Sequence, residues 1–154
     1  MKTYFIKIFD SNNWANRKVL KSLSDQNIND DRILKLLSHI VLSEQIWMLR
    51  LKGEYYQNKD FWEILSLSGC EKTSNENNIE YTGYLNSLNE IEFSNTITYT
   101  NSKGVEHTNT IEDTLTHIAF HSAYHRGQIA REVRSLNKEP VLTDYIAFVR
   151  DRKR

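Results

Sequence analysis

The chain has 154 residues, enough for one domain spanning 1–154 and too few for two. Twenty basic residues balance twenty acidic ones, so no global field draws in nucleic acid or an anionic membrane. A single cysteine, Cys70, rules out an intramolecular disulfide and fits a reducing compartment. Within Met1 to Asn13, Lys7 and Asp10 interrupt the apolar core that a signal peptide needs. No apolar run approaches the roughly 18 residues of a bilayer span, so a cytoplasmic protein without a membrane partner is expected. The basic cluster Arg150-Asp151-Arg152-Lys153-Arg154 reads as a solvated terminus.

Four segments carry a helical period, with little proline or glycine to break them. The first runs from about Thr3 to Leu23, with Phe5, Ile8, Phe9, Val19, Leu20 and Leu23 as apolar members and Trp14 loosely among them. The second and strongest, Asp31 to Lys52, repeats Ile33, Leu36, Leu37, Ile40, Trp47, Met48 and Leu51, and Asn29-Asp30-Asp31 supplies its cap. Gly53 to Thr73 reads as a partly ordered connection. The third helix, Asn75 to Glu92, is weaker, with Ile79, Leu85, Leu88 and Ile91. The period then changes to two: Ile97 and Tyr99 alternate with Thr96, Thr98 and Thr100. Asn101-Ser102-Lys103-Gly104 offers a turn before Val105 to Thr108, which predicts a β-hairpin. Thr110-Ile111-Glu112-Asp113 resembles a capping box opening a fourth helix that ends near Asn137, ahead of the only proline, Pro140. A short final helix, Asp144 to Arg150, packs back. The predicted fold is all-α: a four-helix bundle with a small hairpin inserted before the last long helix.

Chemistry concentrates on the fourth helix, where His117, His121 and His125 recur every four residues. Side chains at i and i+4 sit about 40° apart around a helix and one turn apart along it, so neighbouring imidazoles can reach one ion. With His117 at zero, the apolar residues Ile111, Leu115, Ile118, Ile129, Val133 and Leu136 fall between about 100° and 160°. His121 and His125, at about 40° and 80°, border that sector and point at or near the bundle interior. His39 sits on a helix that is apolar on most sides, where an unpartnered ionisable group is costly, and it offers a third imidazole. His107, among threonines, reads as exposed. HExxH is excluded because Ser122 follows His121, and di-iron Glu-x-x-His pairs because no glutamate lies three residues before a histidine. Three histidines with open positions suit Zn²⁺ or Ni²⁺, with Fe²⁺ or Mn²⁺ also compatible.

Two charges fall on apolar sectors. Arg126 lies near 180° and Glu44 lies about 140° from His39, so an ion pair between them is expected, with Asp10 or Asp144 as other partners for the arginine. Gly127, in mid-helix at a cost of about 1 kcal/mol relative to alanine, predicts close backbone packing. Gln128 and Glu132 share the histidine side and are candidates to support the ligands, Glu132 also as a proton carrier.

The stretch His121-Ser122-Ala123-Tyr124-His125-Arg126-Gly127-Gln128 closely resembles the signature of the DinB family of bacterial four-helix-bundle proteins. Asn13-Trp14-Ala15-Asn16, Leu37-Ser38-His39-Ile40 with Glu44 and Trp47, and Pro140 with Asp144-Tyr145-Ile146-Ala147-Phe148 extend the likeness over nearly the whole chain. The resemblance implies a bundle with long crossovers, a homodimer, and a three-histidine metal site whose ligands would be His39, His121 and His125, with His117 outside it. Characterised members include transferases that use low-molecular-weight thiols. The preferred reading is therefore a metal-dependent enzyme joining a small thiol cosubstrate to a small electrophilic molecule. Metal-dependent hydrolysis and a non-catalytic, stress-related metal- or ligand-binding role are the alternatives.

Overall fold

The computed structural model describes residues 1–54, 60–101 and 103–152. Part of the predicted 53–73 connection (55–59), the turn residue Ser102 and the last two members of the basic cluster, Lys153 and Arg154, lie outside the described residues. Five helices and one hairpin follow in the order α1 (Lys2–Asp25), α2 (Asp31–Leu51), α3 (Leu67–Ser87), β1 (Thr96–Thr100), β2 (Glu106–Thr110), α4 (Ile111–Ser135) and α5 (Tyr145–Asp151). α2 packs against both α3 and α4, and α1 packs against the same two, which makes a four-helix bundle. Among the described residues no helix is long and apolar enough to cross a membrane.

Local chemistry sets the element ends. The Asp30 carboxylate accepts from the backbone N–H groups of Arg32 and Ile33 and caps α2. Thr110 caps α4 by accepting from the Asp113 N–H at 3.0 Å, while its hydroxyl donates to the Asp113 carboxylate at 2.7 Å. Asn27 and Asn137, just past α1 and α4, have φ of 52° and 56°. Asparagine tolerates that left-handed geometry, and helices commonly end on it. The hairpin pairs Thr96 with Thr110 and Thr100 with Glu106, and Ile97 turns inward onto the core. α5 docks on α1 through Phe148, whose ring centroid lies 5.8 Å from that of Trp14.

Two expectations are corrected. The third helix begins at Leu67, eight residues before Asn75, and ends at Ser87 rather than Glu92. Its buried face is Cys70, Ser74, Asn77, Tyr81 and Leu85, whereas Ile79 and Ile91 are 69% and 79% exposed. Helical spacing is present there, but polar Ser74 and Asn77 interrupt it, so an apolar period could not find its first half. Gly127 lies on the exposed face of α4, and a Cβ built on it meets nothing within 4 Å. Among the described residues no packing requires it. Phe120 and Tyr124 are likewise exposed on this helix.

The core is divided. One apolar half gathers Phe5, Phe9, Met48, Leu85 and Leu115. The other gathers Val19, Leu23, Leu37, Ile129 and Val133. Between them along each helix lies a buried polar stretch: Asn12 and Asn16 on α1, Glu44 on α2, Ser74 and Asn77 on α3, Ser122 and Arg126 on α4. A polar layer of this kind is tolerated only when its members are hydrogen-bonded to one another.

Candidate metal centre

α2 supplies His39, and α4 supplies His121 and His125, one helical turn apart. Across the seam, the Nε2 of His39 lies 3.2 Å from the Nε2 of His121, which lies 3.2 Å from the Nε2 of His125. One ligand atom from each residue falls within 4.8 Å of the others. Metal–imidazole bonds of 2.0–2.1 Å at tetrahedral angles separate nitrogens by about 3.4 Å, so this spacing matches what one divalent ion spans.

Proton accounting sharpens the point. The Nδ1 of His39 lies 2.9 Å from the carbonyl oxygen of Phe61, which can only accept. The proton of a neutral His39 is therefore on Nδ1, and its Nε2 carries a lone pair. The Nδ1 of His125 faces Oε1 of Gln128 at 2.7 Å in the same way. At most one proton, that of His121, is left among three converging nitrogens. Lone pairs facing each other repel, and a cation between them removes the repulsion. Outer contacts that fix imidazole tautomers are the usual companions of histidine metal ligands. The three residues thus fit a divalent ion, which they could hold together.

The surroundings disfavour the alternative cation, a proton. Burial, followed by the charges of His125, His39 and His117, pushes the His121 imidazole down to about 3. Burial also lowers His39, partly offset by its hydrogen bond to Phe61. A histidine whose folded-state value is depressed stays neutral in the fold while its unfolded counterpart, near 6.5, takes a proton. The unfolded chain then binds more protons, so stability falls with falling pH. For metal-free protein, the urea midpoint should decline from pH 6.5 toward pH 3, and His121→Ala should flatten that decline. Equal slopes for the two proteins would reject it.

Trp62 lies flat on His39, with ring centroids 3.8 Å apart and planes 4° from parallel. His117 stands outside the triad, its ring centroid 5.6 Å from that of His121 and 5.2 Å from that of Trp47. Burial and the nearby Arg50 charge lower its pKa. A cavity of about 190 Å³ opens beside it, lined by Trp47, Tyr99, Asn109, Asp113, Thr114 and His117. His107 is exposed on the hairpin, hydrogen-bonded to Asn101.

Of the two supporting candidates, Gln128 touches a triad member and Glu132 does not. The Glu132 carboxylate is held by Arg131 at 2.9 Å and Arg32 at 3.4 Å, and it lies about 10 Å along the helix from His125. The Phe61 carbonyl and the Trp62 ring escaped the sequence reading, since both come from an irregular segment that no periodicity orients.

The expected Glu44–Arg126 pair is also corrected. Both side chains are buried, but no direct contact joins them. Arg126 Nη1 donates to Oδ1 of Asn12 and Oδ1 of Asn16, each at 2.7 Å. The two amide groups then donate to Glu44 Oε1, Asn12 at 2.7 Å and Asn16 at 3.1 Å. Ser122 donates to the same oxygen at 2.7 Å. Two carboxamides thus span the gap between the charges, each oriented by both. Burial pulls the Arg126 guanidinium down to about 10, against the opposing pull of Glu44. Of the two other expected partners, Asp10 is engaged by Arg152 instead, and the arginine's hydrogen bonds go to the asparagines rather than to Asp144.

Compared with known protein families, residues 1–153 match the DinB family. A comparison with curated proteins finds no match.

Proposed function

The chain belongs to the DinB family, and from that premise we propose that it is a metal-dependent enzyme joining a small thiol to an electrophilic substrate, with His39, His121 and His125 as the metal ligands. The observation that carries the reading is the convergence of three Nε2 atoms, two of them carrying lone pairs because the Nδ1–H groups of their rings donate to Phe61 and Gln128. A divalent ion with open positions supplies Lewis acidity, lowering the pKa of a thiol or water placed there. Zn²⁺ and Ni²⁺ suit an all-imidazole set best.

The chain's own groups do the rest. Phe61 and Gln128 hold the imidazoles in orientation, and the cavity walled by Trp47, Tyr99 and His117 gives a small organic substrate somewhere to sit. The protein offers no thiol of its own. Cys70 is fully buried, its Sγ 3.4 Å from the Ser38 hydroxyl, and burial pushes its pKa up. A soluble thiol must therefore supply the sulfur: it gives up its proton to solvent, its sulfur forms the bond to the electrophilic carbon, and the carbon's bond to the leaving group breaks, the group departing with the electron pair. The hydrolytic alternative drew its base from Glu132, whose carboxylate two arginines hold.

The test is consumption of bacillithiol or glutathione with a generic aryl or alkyl halide. Turnover that chelator abolishes and Zn²⁺ or Ni²⁺ restores is the expected result. Ester or amide cleavage with no thiol consumption would replace this reading by hydrolysis. Inert metal-loaded protein in both assays would leave only a binding role.

A further inference from the structure

We propose that Glu44 is a positioning residue for the metal site, acting as a buried hub that fixes the register of α2 against α4 so that the three imidazoles meet. The inference rests on the metal reading above and adds a role that no metal ligand performs.

The geometry begins with adjacency. Ser122 follows His121, and Arg126 follows His125. Successive helical residues point about 100° apart, so α4 presents its histidines to the seam with α2 while the next residues turn into the bundle. There Ser122 donates to Glu44 Oε1 at 2.7 Å, on the same helix as His39. The same oxygen accepts from Asn12 and Asn16 of α1. The other carboxylate oxygen faces Asn16 at 3.4 Å and Asn77 of α3 at 3.5 Å. Asn77 also donates to the Val41 carbonyl at 2.8 Å, and the Tyr81 hydroxyl to the Glu44 carbonyl at 2.7 Å, pinning the α2 backbone itself. One carboxylate therefore ties together all four long helices at the level of the triad.

Apolar contacts cannot do this alone. Burial of hydrocarbon is non-directional and changes little when one helix slides slightly along another. A hydrogen bond weakens steeply with misalignment, and a metal site tolerates errors of only about 0.2 Å in its ligand distances. A slip of one residue, 1.5 Å, would break the Ser122–Glu44 bond and carry His39 away from the α4 pair. The polar layer between two apolar halves is thus where directional constraint is placed, beside the site that needs it.

The test removes one donor without stranding a charge. In Ser122→Ala, Glu44 keeps its three asparagine donors, Asn12, Asn16 and Asn77, so the fold persists. The probe is Co²⁺, followed by its visible absorption and by competition with a chelator. Ser122→Ala is expected to bind Co²⁺ about tenfold more weakly with shifted bands, and Ser122→Thr, which restores the hydroxyl, is expected to recover both. Ser122→Cys, which keeps volume but donates weakly, is the second variant should alanine disturb folding. Unchanged affinity and bands in Ser122→Ala, or no recovery in Ser122→Thr, would overturn the proposal. Absence of Co²⁺ uptake by the unaltered protein would instead overturn the metal reading on which it rests.

Discussion

His121→Ala or His125→Ala should strip most divalent metal from the purified protein, while His117→Ala should leave most of it in place. Structural zinc sites bind with roughly 10–16 kcal/mol over four ligands, so a single imidazole is worth about 3 kcal/mol, or about 100-fold in affinity. His121 has the central position, since its Nε2 lies 3.2 Å from that of each of the others, and losing it leaves only two imidazoles. His117 belongs to the same i, i+4 series but packs against Trp47 and lines the neighbouring cavity. Elemental analysis of the three variants beside the unaltered protein makes the comparison. Equal loss in all three would mean that the ligand set is wrong.

Arg126→Ala should lower stability by about 3–5 kcal/mol, the range for removing one partner of a buried charge pair. That corresponds to a melting temperature lower by roughly 10 °C in a chain of this length. The loss is large because three groups suffer together. Glu44, only 4% exposed, loses the charge that opposes its own across the layer, and the carbonyl oxygens of Asn12 and Asn16 lose their donor. Because the carboxamides link the charges, Glu44→Ala should do comparable damage. A double change, Glu44→Gln with Arg126→Met, should recover part of the loss, since replacing both buried charges is far milder than removing one. Thermal and urea melts decide this, and an unchanged midpoint in Arg126→Ala would show that the layer does not depend on the arginine.

Legibility in the sequence followed where apolar residues sat. α2 was readable to within a residue because Ile33, Leu37, Ile40 and Leu51 form a hydrophobic stripe and Asp30 caps it. α4 was readable from its Thr110 cap and the spacing of Leu115, Ile118, Ile129 and Val133. The first half of α3 was not, because its buried positions are Cys70, Ser74 and Asn77, and the partners of Cys70 and Asn77 lie on α2. A usable local signal existed in Ser66, whose side chain accepts from the Gly69 N–H as a helix cap.

The site divided along the same line. Four-residue spacing places His121 and His125 together from helix geometry alone. Joining His39 to them required the tertiary packing of α2 on α4; its place on an apolar helix offered it as a third imidazole, and the family resemblance implied the set. The burial of Glu44 and Arg126 could be inferred from their angular positions. The two asparagines between them could not, since Asn12 and Asn16 show their role only when all four helices are assembled.

The three imidazoles are not equally tethered. One is fastened to main chain by Phe61 and another to its own helix by Gln128, while among the described residues nothing is hydrogen-bonded to Nδ1 of His121. The middle ring is thus the freest to swing about its side-chain bonds. Exchange of an ion held by the triad would begin there, by transient release of one arm while the other two keep their grip.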